Sequence, residues 1–86
     1  MELKINFLEN GREAALILTD EGRILDELII PIDNSFDTLL VTSIDKIFKK
    51  NRIDKSSLKV VNVAPETDNG SVAYRTARAV GEALKS

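Results

Sequence analysis

The chain has 86 residues, 43% of them apolar and 30% charged, with 12 basic against 14 acidic side chains and neither cysteine nor histidine. Such a length supports one modest core, and the missing Cys and His remove disulfides, Cys/His zinc sites, thiol nucleophiles and histidine triads. A formal charge of −2 gives no global pull on nucleic acid or an anionic membrane.

No apolar run approaches the roughly 20 residues that span a bilayer. The opening MELKINFL lacks the basic segment of a secretory leader. A single cytoplasmic domain over 1–86 is the expectation.

Leu3, Ile5 and Phe7 alternate with Glu2, Lys4 and Asn6, the period of a strand with one buried face. Asn10-Gly11 is a hairpin signal, and an almost uniformly apolar second strand follows over 14–19. A tight turn at 20–23 places Gly22 where positive φ is wanted, and 24–32 carries a third strand. Pro31 cannot donate to a ladder, which suits an edge or a strand exit.

Phe36, Leu39, Leu40, Ile44, Ile47 and Phe48 then recur at helical spacing, with Val41 widening the stripe. Asp33, Asn34 or Ser35 can cap this helix, and Asp37 early with Lys49 and Lys50 late complements its dipole. Most of the stripe reads as core, with part of it available to a partner. Ile53 is expected under the helix end, 58–63 as a fourth strand, and 71–84 as a last helix. On that helix Val72, Thr76, Ala79, Val80 and Ala83 form one face, and Ala73, Ala77 and Gly81 form a ridge of small residues.

The result is an α/β (α+β mixed-sheet) domain in the order β-β-β-α-β-α. Its loop at 64–71 (APETDNGS) invites a phosphate reading, because loops before helices present backbone N–H groups. It has one glycine, no lysine and two acids, so it reads as a turn and helix cap. Glu9, Asp33, Glu66 and Asp68 are the acids that a small metal-dependent nuclease or phosphotransferase would have to gather. No recognised motif joins them, so no metal or cofactor is expected. Tyr74 reads as an anchor rather than a proton donor. Arg75 and Arg78, followed by Lys85, suit a solvated face, a docking face for an acidic partner, or weak RNA-backbone contact as an adaptor.

The stretch FDTLLVTSIDKIFKKNRIDKSSLKVVNV, this order of elements and the last helix together resemble the N-terminal lobe of the TsaB/YeaZ family. Tyr74-Arg75 stands where that family has Leu-Arg, and Ala77, Ala79 and Leu84 fall on its small or apolar positions. Ala73 replaces a family glycine, APETDNGSV replaces a glycine-rich loop, and Asn6-Phe7-Leu8-Glu9 replaces an Asp-Thr-Ser-Thr segment.

The resemblance implies an actin-like, ribonuclease-H-like half-domain that is a noncatalytic scaffold. Such a scaffold pairs with itself as a homodimer, or with a TsaD-like partner in tRNA threonylcarbamoyladenosine modification. Phe36, Leu40, Val41, Tyr74, Arg75, Ala77, Arg78 and Gly81 are the expected interface. Ala77→Trp is then expected to abolish association in a folded protomer.

Overall fold

The computed structural model describes residues 1–64 and 72–85. Its elements are β1 (Glu2–Phe7), β2 (Glu13–Asp20), β3 (Arg23–Pro31), α1 (Phe36–Lys50), a single 3-10 turn (Lys55–Ser57), β4 (Val60–Ala64) and α2 (Val72–Lys85). The first three strands form the expected antiparallel meander. β4 does not join β3; it lies beside β1 and parallel to it, so the sheet order is β3-β2-β1-β4. The result is a small mixed α/β domain. No helix among the described residues is long and apolar enough to cross a membrane.

Both hairpin turns follow from their residues. Asn10 Oδ1 accepts from the N–H groups of Arg12 and Glu13 at 2.8 and 3.2 Å, closing the first turn with a side chain while Gly11 takes φ +69°. In the second, Glu21 and Gly22 both have positive φ. That is the backbone of the primed turns whose twist matches flanking strands.

The period of two then sorts the sheet into faces. Leu3 lies opposite Leu18, and Ile5 opposite Leu16, which in turn faces Leu28. On the other side Leu3 and Ile5 face Val61 and Val63 of β4. These residues carry the core, with Leu3, Ile5, Leu16 and Leu18 fully buried.

α1 covers this face with Phe36, Leu40, Ile44, Ile47 and Phe48, while Ser43 is the one buried polar residue among those described. Val41, expected to widen the stripe, is 54% exposed, since it lies about 100° around the helix from Leu40.

The helix ends in two backbone bonds. Arg52 N–H donates to the Lys49 carbonyl at 3.2 Å and Ile53 N–H to the Phe48 carbonyl at 2.9 Å. This Schellman arrangement calls for a left-handed residue after the cap, and Arg52 supplies it at φ +55°. It also turns Ile53 back onto the core, as its sequence position implied.

α2 packs on β4 and against α1. Its inward residues are Tyr74, Ala77 and Gly81, with Val80 and Leu84 half-buried beside them, while Ala79 and Ala83 are exposed. Ala77 and Gly81 of the small ridge therefore face the chain's own sheet. A Cβ on Gly81 would stand 3.1 Å from Val61 Cγ1, so the close approach that these small residues permit is made by β4.

Candidate functional site

In sheets with parallel strands, ligands collect beyond the carboxyl ends of those strands. Here that position follows β1 and β4. Phe7, the last residue of β1, packs against Phe36 from α1 and Tyr74 from α2, with ring centroids 6.0 and 6.1 Å apart. Three aromatic rings therefore close the described part of this end, and Tyr74 is buried among them. Asp33 lies nearby in sequence, but its carboxylate accepts the Ser35 N–H at 2.8 Å and so orders the entry to α1.

Glu9 is exposed in the first turn. Among the described residues no three His, Cys, Asp or Glu side chains are grouped to hold a metal ion. Glu66 and Asp68, and the reading of 65–71 as a turn and cap rather than a phosphate loop, lie outside the described residues.

The eight residues expected at an interface divide in two. Phe36, Leu40, Tyr74, Ala77 and Gly81 are buried inside the protomer. Their side chains hold the helices to the sheet and to one another, so they do not form an outer docking surface. Val41, Arg75 and Arg78 are exposed, Val41 on α1 and the two arginines on α2. The sequence spacing that marked the first five is the spacing of an ordinary buried helix face.

Among the described residues the one perturbed carboxylate, Asp26, is structural in its contacts. It sits on the core face of β3, where Asn51 Nδ2 donates to its Oδ2 at 2.9 Å, Lys50 Nζ approaches at 3.5 Å, and the Glu27 N–H donates to Oδ1. The Asn51 amide holds this carboxyl below the usual carboxylate value; the Glu27 N–H and the Lys50 ammonium act in the same direction, against the effect of burial. Asn51 also donates to the Ile47 carbonyl at 2.8 Å, so one amide ties the end of α1 to β3.

Among the described residues no helix lies over the opposite face of the sheet. Alternation and register place Lys4, Ile17 and Glu27 in one row across it, and Asn6, Ala15 and Ile29 in the next. At Leu18/Thr19 the ladder slips: Leu18 faces Asp26 and Thr19 faces Ile24, leaving Leu25 as the extra residue of a bulge.

Ile24 is 64% and Ile29 51% exposed, and Leu25 and Val60 are also exposed. Ile17 lies half-buried between them. Sequence reasoning gave Ile24 and Ile29 to a strand but did not single them out. For Ile29 the signal was an apolar residue on the face of β3 opposite Leu28 and Ile30, whereas Ile24 reaches that face only because the bulge at Leu25 reverses the alternation. Compared with models of protein families, with curated proteins and with solved structures, the chain matches none of them.

Proposed function

We propose that this chain is a noncatalytic protein-interaction domain, an actin-like or ribonuclease-H-like half-domain whose bare sheet face receives a companion protein. The observation that carries this reading is the one-sided cover of the sheet. Both helices lie on the Leu3/Leu16 face, while Ile24, Ile29 and Val60 remain in solvent on the other. Antiparallel sheets do face water on one side, but with polar residues there. On β3 Ile24 and Ile29 flank Glu27, with Ile17 across from it, and exposed apolar side chains set among polar ones in this way are the mark of a contact surface.

The strand order β3-β2-β1-β4, with β4 parallel to β1, agrees with the half-domain assignment. The aromatic closure by Phe7, Phe36 and Tyr74 agrees with a scaffold rather than an enzyme. The resemblance to the TsaB/YeaZ lobe supplies the companion, a TsaD-like protein acting in tRNA threonylcarbamoyladenosine modification. The test is calorimetric titration of a purified TsaD-like protein into this chain and into an Ile24→Lys/Ile29→Lys variant. Binding by the parent with at least a tenfold loss in a normally folded variant supports both surface and partner. Equal binding by the two chains removes the surface, and no binding by either removes the partner.

A further inference from the structure

The two edges of the sheet are unlike each other. β3 carries the devices that keep edges from pairing with other chains: Pro31 at its end, the extra residue Leu25, the inward charge of Asp26 and the exposed charge of Glu27. β4 reads Val-Val-Asn-Val-Ala, with no charge, proline or bulge. Among the described residues its backbone bonds only to β1. Above this edge stands α2, and between them opens a cleft of about 180 Å³ lined by Val61, Val63, Tyr74, Arg78, Gly81 and Glu82.

We propose that this edge is a strand-addition site: an extended segment of a partner polypeptide pairs with β4 beneath α2. A second copy presenting the same edge does not fit. Paired strands lie about 4.8 Å apart, whereas packed helices need roughly 8–10 Å between axes. Since α2 packs on β4 itself, two copies would bring their α2 helices into the same space. A second copy presenting β3 would use the guarded edge and generate an open-ended chain of copies.

The lining sets the chemistry of the guest. Val61 and Gly81 fill each other's space, so the open surface of the cleft is that of the exposed Arg78 and Glu82 with half-buried Val63 beside them. The guest side chains on this face are therefore polar or charged rather than apolar. Arg78 and Glu82, both exposed and one helical turn apart on the lip, match an acidic and a basic side chain in that order along the guest. Main-chain bonds supply affinity and the alternate side chains supply specificity in this mode. The inference rests on the reading of the chain as an interaction domain, but it uses a different surface from the bare face.

The probe is a display library of randomised heptapeptides selected on the full chain, the best binder then being titrated in an NMR experiment. The expected result is an enriched extended pattern carrying an acidic and a basic residue two positions apart, to face Arg78 and Glu82, with the largest amide shifts in 60–64. Arg78→Glu should weaken the selected peptide about tenfold with an unchanged melting temperature. Ile24→Lys/Ile29→Lys should leave it unchanged, so failure here and failure of the bare-face reading are separable. Failure to enrich any peptide, shifts confined elsewhere, or indifference to Arg78→Glu would overturn the proposal.

Discussion

Asn51 and Asp26 are 25 residues apart, yet the side-chain amide of one donates to the carboxylate of the other at 2.9 Å. The bond joins the last turn of α1 to the middle of the guarded edge strand, with Lys50 as a second, longer contact. It has a pH signature. The carboxyl is held below its usual value in the folded state, so its stabilisation is complete above the unfolded-state pKa. That stabilisation is lost as pH falls through the folded-state value.

Asp26→Asn should therefore cost about 1–2 kcal/mol at neutral pH. The variant and the parent should converge as pH falls from about 6 towards 2. Urea midpoints across that range measure this directly; a gap that stays constant with pH would show that the charge is not involved.

Arg52 occupies the left-handed position that closes α1. An L-residue pays roughly 1 kcal/mol there, and glycine does not. Arg52→Gly should stabilise the fold by about 0.5–1 kcal/mol, after allowing for the greater freedom of the unfolded chain. A lower urea midpoint in the variant would show that the guanidinium makes a compensating contact.

Gly81 lies against Val61 closely enough that a methyl group is a tight fit. Alanine gains about 1 kcal/mol of helix propensity over glycine, against which stands the displacement of the buried Val61 by a few tenths of an ångström. Gly81→Ala is expected within about 1 kcal/mol of the parent. Gly81→Leu should destabilise by roughly 2–3 kcal/mol through overpacking. Thermal melts of the pair separate the two effects.

Ala77 is fully buried. Ala77→Trp, expected on the interface reading of the sequence to abolish association in a folded protomer, should instead damage the fold itself, since the indole has no space between α2 and the sheet. A loss of 3 kcal/mol or more, or expression as an aggregate, is the outcome anticipated for so large an insertion. A cooperatively folded variant of normal stability would mean that α2 does not pack as described.

Ile24→Lys and Ile29→Lys offer the contrasting case. Both positions are largely exposed, so each change should alter stability by no more than about 0.5 kcal/mol. Binding of a hydrophobic dye should fall, because the exposed apolar surface shrinks. Unchanged dye binding in the double variant would place the accessible apolar surface elsewhere.

The sequence carried the strands, the turns and α1 well, because their signals are local. Alternation from Leu3 to Phe7, Asn10-Gly11, Gly22 and the stripe from Phe36 to Phe48 each follow from the geometry of one element. Placement of β4 beside β1 was not legible: nothing within 60–64 records which strand it will meet. The interface residues show the same limit from another side. Tyr74, Ala77 and Gly81 carry the periodicity of a contact face, and periodicity does not distinguish a contact with the chain's own sheet from a contact with another molecule. Ile24 and Ile29 stand on either side of Asp26-Glu27 in β3, where exposure is decided by the bulge at Leu25 and by which face the helices cover.

The central position of β1 has a consequence for the order of assembly. Its pairing with β2 links neighbours in the chain, and a two-stranded hairpin closes in about 1–10 μs. Its pairing with β4 joins Leu3 to Val61 and Ile5 to Val63. That ladder waits on the intervening chain, whose closure carries most of the entropic barrier of a nonlocal contact. During synthesis the meander can therefore form while one side of β1 is still unpaired. Val60–Ala64 then arrive as the element that seals it, and completion of this sheet waits on their emergence from the ribosome.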